Sequence, residues 1–280
     1  MAAAEHPTVS SLSARLRRSK GSPLVPTPVH PEAQPYEGGN GPVGVLLCHG
    51  FTGSTKAMGS WARHLEAAGF RVLVPRLPGH GTTWQECNQT AWTDWYTCVD
   101  EAFAVLRARC EQVFLAGLSM GAALCLRLAE QHGAAVSGLV LVNPTINISD
   151  PRMRALPILR LLPSLAGISN DIAKPGEEEW GYHRLPLRAL YSATFLWADV
   201  RQHLHRVEQP LLVYRSIHDH VVDPSSVRLI KAGVRSSDQT YVELQRSYHV
   251  ATLDYDADDI FDGSVAFFRR LTKEADGTAE

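Results

Sequence analysis

Gly117-Leu118-Ser119-Met120-Gly121 is the stretch of sequence that decides the fold. It matches the pattern Gly-x-Ser-x-Gly, follows an apolar, strand-like run at 112–116 and precedes a helix-like run at 122–130. This strand–turn–helix context is typical of a nucleophile elbow, a sharp turn that projects the serine hydroxyl outward. Glycine on either side of the serine relieves crowding in such a turn. The stretch therefore predicts a nucleophilic serine, Ser119, at the end of a buried strand.

Short apolar runs alternate with longer amphipathic runs along most of the chain. The runs predicted as strands are Val43–Cys48, Arg71–Pro75, Val113–Ala116, Gly138–Val142, Leu211–Arg215 and Thr240–Leu244. The runs predicted as helices are Ser60–Ala68, Trp92–Arg109, Met120–Gln131, Pro224–Lys231 and Ala257–Leu271. Near-continuous Val and Leu runs are typical of strands buried on both faces, and regular alternation with helices implies right-handed crossovers. The sequence therefore predicts an α/β fold with a mostly parallel central sheet flanked by helices.

Two segments depart from this alternation. Residues 1–40 are predicted to form a flexible tail, because closely spaced prolines disfavour helix and sheet there. Residues 144–206 are rich in Leu, Ile and aromatic side chains and predict helices without an intervening strand. We expect this insertion to form a helical cap over the carboxyl ends of the strands, where such sheets bind ligands. The alternative is two ordinary crossover helices with a long loop. The core then comprises residues 41–143 and 207–275.

A serine nucleophile needs a base, and the base needs an acid that fixes its tautomer. After a nucleophile elbow, the expected chain order is Ser, then Asp or Glu, then His. Asp219 lies a few residues beyond a predicted strand, and His249 lies between the last predicted strand and the last helix. Asp223 is the nearest alternative acid, but its place before Pro224 is typical of a helix N-cap. His218 and His220 are alternative bases that flank Asp219 too closely to reach over it easily.

A third element is predicted to stabilise oxyanion charge. The loop Leu47–Ser54 follows the first core strand, and its glycines let the backbone bend toward a substrate oxygen. The predicted donors are the N–H groups of Phe51 and of Met120, the residue after the nucleophile. His49 is predicted to brace this loop rather than to act as a base. The turn Pro78-Gly79-His80-Gly81 is predicted to rim the site, with a contact between His80 and substrate as the alternative.

Composition argues against several other classes of protein. The net charge is −2 and no basic stripe is present, so we predict no nucleic-acid partner. The sequence contains two histidine pairs, His203-x-His205 and His218-x-His220. Neither pair is accompanied by Asp, Glu or Cys residues at the spacing of metal ligands, so we predict no metal site. The five cysteines are an odd number without a paired spacing, which favours free thiols in a reducing compartment, with Cys48 and Cys125 buried. Without a signal-like or bilayer-spanning apolar stretch, we expect a cytoplasmic protein with no integral membrane segment.

Several motifs together resemble the bacterial carboxylesterase and monoacylglycerol lipase group of the α/β-hydrolases. They are His49-Gly50-Phe51-Thr52-Gly53-Ser54, Pro78-Gly79-His80-Gly81, Gly117-Leu118-Ser119-Met120-Gly121, the Asp219 segment and Ser247-Tyr248-His249-Val250-Ala251-Thr252-Leu253-Asp254. The resemblance covers roughly residues 43–271. It implies the α/β-hydrolase fold, a triad of Ser119, Asp219 and His249, and an oxyanion hole formed by the Phe51 and Met120 amides. The chain departs from the group at Tyr248, where glycine is often found.

These observations predict a serine hydrolase that cleaves small-molecule carboxylic esters through an acyl-enzyme and needs no cofactor. The insertion is apolar and shows no evident cluster of cations, which favours short-to-medium acyl esters of neutral alcohols, monoacylglycerols among them. A thioesterase or acyltransferase with the same triad is one alternative. A non-catalytic receptor with the same fold is another, although such a protein would tolerate the loss of a triad member.

Overall fold

A seven-stranded, mostly parallel sheet forms the centre of the molecule. The computed structural model describes residues 27–277, with side chains described to residue 272. The strands are β1 (Tyr36–Gly38), β2 (Val43–Cys48), β3 (Arg71–Val74), β4 (Gln112–Leu118), β5 (Gly138–Val142), β6 (Ser164–Ala166), β7 (Arg184–Pro186), β8 (Leu211–Ser216) and β9 (Gln239–Leu244). The order in the central sheet is β1-β3-β2-β4-β5-β8-β9. Its neighbouring strands are parallel except for the pair β1 and β3, which confirms the predicted fold class.

Helices cover both faces of this sheet. They are α1 (Lys56–Ala67), α2 (Trp84–Cys87), α3 (Trp92–Arg107), α4 (Met120–His132), α5 (Leu156–Leu159), α6 (Leu187–His203), α7 (Ser225–Gly233) and α8 (Ala257–Gly277). Successive residues of a strand point to opposite faces, so β4 contributes to both layers. Val113 and Leu115 belong to the core shared with α3 and α4, whereas Phe114 and Ala116 belong to the core shared with α1 and α8. The helices predicted from the sequence are all present.

The predicted tail of residues 1–40 is wrong at its carboxyl-terminal end. Strand β1 pairs antiparallel with β3, with Tyr36 opposite Val74 and Gly38 opposite Val72, and the side chain of Ala33 is fully buried. A strand of three residues at the sheet edge needs no continuous apolar run, so the proline-rich sequence around it gives no strand signal. The remainder of the predicted tail, residues 1–26, lies outside the described residues.

The insertion at residues 144–206 contains strands as well as helices. Helices α5 and α6 occupy parts of it, and a 3-10 helix spans Pro151–Ala155. Strands β6 and β7 form a separate antiparallel pair, in which Ser164 lies opposite Pro186. The expectation of helices without an intervening strand is therefore wrong. Three residues are too few for the alternation of polar and apolar side chains that reveals longer strands.

The five cysteines are all free and buried. Cys48 ends β2 and Cys125 lies on α4, and both side chains are fully buried, as predicted. Burial raises the pKa of the Cys98 thiol to about 12, so this side chain is a thiol rather than a thiolate at neutral pH. Among the described residues, no helix combines the length and apolar character required to cross a bilayer.

Candidate active site

Ser119 lies in the turn that joins β4 to α4, at φ 56° and ψ −118°. A positive φ is unusual for a residue with a side chain, and the backbone is held there by the Ser119 N–H, which donates to the Val142 carbonyl at 2.9 Å. A Cβ atom on Gly121 would lie 2.0 Å from the Cys48 carbonyl oxygen, and one on Gly117 would lie 2.6 Å from the Ala122 nitrogen. The turn therefore excludes side chains at both glycines, as the sequence analysis predicts.

The structure brings Ser119, His249 and Asp219 into one hydrogen-bonded chain. The distance between His249 Nε2 and Ser119 Oγ is 2.9 Å, and the distance between His249 Nδ1 and Asp219 Oδ2 is 2.8 Å. The three residues follow β4, β9 and β8, whose carboxyl ends meet at the same edge because these strands are parallel. Only 9% of the His249 side chain and 2% of the Asp219 side chain are exposed, so both hydrogen bonds are shielded from bulk water.

Asp219 and Asp223 have different partners. The second carboxylate oxygen of Asp219 accepts hydrogen bonds from the N–H groups of Val221 and Val222, each at 2.8 Å. Asp223 instead accepts from the Ser225 N–H at the start of α7 and from the Ser149 N–H, at 2.8 and 2.9 Å. Asp219 is thus the carboxylate that faces His249, and Asp223 holds the helix start, as its position before a proline predicts.

Charges around His249 favour its protonated form. Burial lowers the pKa of His249, but the charge of Asp219 and the hydrogen bond to it, together with the charges of Glu179 and Asp171, raise the pKa above its ordinary value. Burial raises the pKa of Asp219, but the charge of His249 and the hydrogen bonds that Asp219 accepts hold it below its ordinary value. Asp219 is therefore ionised at neutral pH and stabilises an imidazolium in contact with Ser119.

The loop after β2 passes close to Ser119. A Cβ atom on Gly50 would lie 3.3 Å from Cβ of Ser119. The buried His49 ring donates from Nδ1 to the Gly50 carbonyl at 2.9 Å and accepts the Leu77 N–H at Nε2 at 3.2 Å, so its predicted bracing role is confirmed. Phe51 and Met120 both line the pocket that contains Ser119. Because Met120 opens α4, its N–H is one of those without a partner inside the helix.

His80 is fully buried rather than placed in the pocket. Its Nδ1 lies 3.1 Å from the Pro78 carbonyl oxygen, and its ring packs against Trp95 and Tyr182. Burial is the main reason why its pKa falls to about 3. His80 therefore stabilises its own turn as a neutral ring and is not among the residues that line the pocket. The structure does not support the alternative of a contact between His80 and substrate.

Sequence reasoning missed two residues that follow β5. Oγ1 of Thr145 lies 3.1 Å from Ser119 Oγ. The buried Asn143 side chain accepts the Ser216 N–H at 2.7 Å and donates to the His249 carbonyl at 2.7 Å. Strand β5 is the parallel neighbour of β4, so its carboxyl end must also reach the site. The rule that located Asp219 after a strand would have located these residues as well.

A cavity of about 770 Å³ opens from Ser119 toward the insertion. Its apolar lining from residues 144–206 comprises Ile148, Met153, Ala155, Leu156, Leu159, Leu165, Ala166, Ile168, Leu185, Leu187, Leu190 and Trp197. Five carboxylates also line it, namely Asp150, Asp171, Glu179, Asp219 and Asp223. Among these lining residues, the one Arg or Lys side chain is that of Arg152. The Arg152 guanidinium is paired with Asp150, with Nε 2.7 Å from Oδ2.

The expected absence of carboxylates beside the histidine pairs is wrong for His203, whereas the absence of a metal site stays a prediction. The buried Glu130 on α4 and Asp199 on α6 lie beside His203, and one potential ligand atom of each lies within 4.8 Å of the other two. Asp199 precedes His203 by one helical turn, a spacing that the sequence analysis overlooked. The guanidinium of Arg127 lies 2.6 Å from Asp199 and supplies a positive charge to this group. The ion pair of Arg127 with Asp199 joins α4 to α6, whereas burial raises the pKa of Glu130 to about 8.

Comparison with known proteins identifies the family. Residues 43–256 match the Hydrolase_4 family, which is described as serine aminopeptidase, S33. The chain is 38% identical to a thermostable monoacylglycerol lipase from Bacillus sp. (strain H-257) over 243 residues, which are 87% of this chain and 97% of that protein. It is 26% identical over 245 residues to a carboxylesterase from Bacillus subtilis (strain 168), covering 87% of this chain and 98% of that protein.

Solved structures agree with these relatives. A structure from a study of LipS and LipT, two metagenome-derived lipolytic enzymes, superimposes with a TM-score of 0.84 at 36% sequence identity. The alignment covers 87% of this chain and 100% of that one. The fold, the placement of Ser119 at the elbow and the extent of these similarities lead to one conclusion. The chain belongs to the Hydrolase_4 family of α/β-hydrolases, and it is a carboxylester hydrolase.

Proposed function

We propose that Ser119, His249 and Asp219 form a catalytic triad that cleaves esters through an acyl-enzyme. Ser119 Oγ attacks the acyl carbon while His249 Nε2 accepts its proton, and the imidazolium then donates that proton to the leaving alcohol. Water, deprotonated by His249, then attacks the acyl carbon, the bond to Ser119 Oγ breaks, and His249 returns the proton to Ser119 Oγ as the acid leaves. Asp219 keeps the Nδ1–H tautomer and stabilises the imidazolium. The observation that carries this proposal is the continuous hydrogen-bonded chain from Ser119 Oγ to Asp219.

We assign the oxyanion hole to the backbone N–H groups of Phe51 and Met120. Both residues line the cavity next to Ser119, and donors held by a rigid backbone need no reorganisation when charge develops on the substrate oxygen. The loop that carries Phe51 lies close to Ser119, since a Cβ atom on Gly50 would be 3.3 Å from Cβ of Ser119. The N-terminus of α4 adds a favourable dipole at the same point.

The segment 144–206 is proposed to act as a cap that binds the acyl chain. Most of the residues that line the cavity belong to this segment, and most of those are apolar. Apolar burial favours acyl chains over polar groups. Two relatives support a lipid ester as substrate, since one is a monoacylglycerol lipase and the other belongs to a pair of lipolytic enzymes. We therefore propose short-to-medium acyl esters of neutral alcohols, including monoacylglycerols, as substrates.

The apolar and charged residues that line the cavity give a first test of this substrate proposal. Because the lining is largely apolar, each methylene added to the acyl chain should raise kcat/KM about fourfold, corresponding to ~0.8 kcal/mol, until the cavity is full. The matched acyl thioester of coenzyme A should be the poorer substrate, because its phosphates meet carboxylates and an arginine already paired with Asp150. The measurement is kcat/KM for the same acyl group on glycerol and on coenzyme A. A higher value on the thioester would overturn the ester proposal in favour of a thioesterase.

The acid limb of the pH profile gives a second test. His249 must be neutral to accept a proton, so kcat/KM should rise with pH through one ionisation and then reach a plateau. The neighbouring carboxylates raise the pKa of His249, so the midpoint should lie above the ordinary histidine value of about 6.5. The measurement is kcat/KM on a neutral ester across the range of histidine titration. A rate that falls with rising pH over that range would mean that another group is the base.

We also infer a cytoplasmic location. The free, buried cysteines are compatible with a reducing compartment. Fractionation of cells that express the chain, with activity assayed in each fraction, tests this inference directly.

A further inference from the structure

Asp171, in the connection between β6 and β7, contacts both loops that carry the acid and the base. Its Oδ2 accepts hydrogen bonds from the backbone N–H groups of His249 at 3.1 Å and His220 at 3.2 Å. Its Oδ1 lies 2.8 Å from His220 Nδ1, and His220 is the residue after Asp219. Only 10% of the Asp171 side chain is exposed. One carboxylate of the insertion therefore joins the Asp219 loop to the His249 loop.

Further hydrogen bonds join the insertion to the chain on both sides of His249. The Asp171 carbonyl accepts the Val250 N–H at 3.1 Å. Two and three residues further on, the N–H groups of Ala173 and Lys174 donate to the Asp254 carboxylate at 2.7 and 3.0 Å. Asp254 also accepts the Tyr248 N–H at 2.9 Å. The segment 171–174 of the insertion is thus bound to the backbone before and after His249.

The backbone of His249 is consequently held from two directions. The insertion holds its N–H through Asp171, and the core holds its carbonyl through Asn143 at 2.7 Å. The imidazole must reach Ser119 on one side and Asp219 on the other, and misplacement by about 1 Å costs about 100-fold in rate. A shift of the His249 backbone therefore displaces the ring from one of its two partners.

We propose that Asp171 is a positioning residue through which the insertion places the His249 imidazole between Ser119 and Asp219. This inference rests on the proposed triad, and it gives Asp171 no contact with the reacting atoms. In this arrangement, the triad is assembled only when the insertion is docked on the core. If the segment 171–174 separates from the core, the His249 N–H and the His220 N–H lose their shared acceptor together.

The midpoint of the acid limb of the pH profile distinguishes a positioning role for Asp171 from a purely structural one. Burial lowers the pKa of His249, and the carboxylates of Asp219, Glu179 and Asp171 raise it. Asp171 itself faces His220, whose ring packs edge-on against Tyr248 at 4.5 Å between ring centroids. Removal of the Asp171 charge should therefore lower the midpoint of the acid limb, with Asp219 and Glu179 still present.

The experiment compares Asp171→Ala, Asp171→Asn and the control Glu177→Gln in the full chain. Asp171→Ala removes the acceptor, so kcat on a short p-nitrophenyl ester should fall at least about tenfold while KM changes less than about twofold. Asp171→Asn keeps an acceptor oxygen, so it should retain most of kcat and still lower the acid-limb midpoint. Glu177→Gln removes a charge from the same connection between β6 and β7, where Glu177 pairs with Lys174 at 3.2 Å. This variant should leave kcat and the midpoint at wild-type values.

Labelling by a fluorophosphonate separates failure of this inference from failure of the proposed function. An unlabelled wild type would overturn the triad itself. A labelled wild type with a folded Asp171→Ala variant that reacts at the same rate would overturn only the positioning role. Equal losses of kcat in the Ala and Asn variants, or an effect on KM alone, would also overturn it. If thermal unfolding shows that Asp171→Ala does not fold, the Asn variant decides, because an unmoved acid-limb midpoint contradicts the inference.

Discussion

Replacement of Ser119 by alanine is expected to abolish acyl-enzyme formation and to lower kcat by ~10⁴-fold or more, because triad members act as a unit. The fold should persist. Alanine keeps the Cβ atom of serine, so the strain at φ 56° is unchanged, and the Gly121 contact with the Cys48 carbonyl is untouched. The variant loses one hydroxyl with hydrogen bonds to His249 and Thr145. The measurements are steady-state ester turnover and fluorophosphonate labelling followed by mass spectrometry.

A thermal unfolding curve of Ser119→Ala serves as the control for folding. A folded variant that retains more than about a tenth of wild-type turnover would exclude Ser119 as the nucleophile, since the residual activity of triad variants is orders of magnitude lower. Labelling of another serine in the wild type would lead to the same conclusion. Either result would leave the family assignment intact and would remove the proposed mechanism.

Asp219→Asn is expected to lower kcat by ~10⁴-fold, because a neutral amide allows the wrong tautomer of His249. The amide can still accept the N–H groups of Val221 and Val222, so the loop should keep its shape. It cannot stabilise the imidazolium that forms when Ser119 loses its proton. The measurement is kcat on a neutral ester across the pH range in which histidine titrates.

Asp223→Asn is the matched control, because it makes the same chemical change four residues away at the entrance to α7. Asparagine caps helix starts about as well as aspartate, so the free energy of unfolding should fall by only about 1 kcal/mol, the contribution of one lost hydrogen bond. The Ser225 N–H donates to Oδ1 of Asp223 and the Ser149 N–H donates to Oδ2, so the single amide oxygen of asparagine can keep the bond at the helix start while the bond to Ser149 is lost. An inactive Asp223→Asn variant together with an active Asp219→Asn variant would reverse the assignment of the acid.

Long apolar strands and the elbow were predictable because their signals are local. Strands β2, β4, β5 and β8 are buried almost throughout, so each shows as a run of Val and Leu. The elbow carries its signature within five residues. Strands β1, β6 and β7 have three residues each and depend on partners elsewhere in the chain. No short window of sequence contains those partners.

The same distinction applies to the site. Asp219 and His249 were predictable because parallel strands deliver their carboxyl ends to one edge, and the order of the residues along the chain is known. Asp171 contacts a residue 78 positions away in the sequence, from a connection with no periodic pattern. Its role arises from the docking of the insertion, which a single sequence does not encode as spacing. Thr145 and Asn143 lay within reach of the strand-end rule, but neither belongs to the Ser, Asp and His pattern.

The order of β8 and β9 in the sheet has a consequence for the timing of activity during synthesis. Ser119 and His249, the proposed nucleophile and base, are 130 residues apart. His249 follows the outermost strand, which is the last of the sheet in chain order. At ~5–20 residues per second, the ribosome completes the elbow roughly ten seconds before it completes the His249 loop. During that interval the nascent chain has a serine without a general base. In the proposed triad, Ser119 therefore gains its base only after the last strand of the sheet has been made.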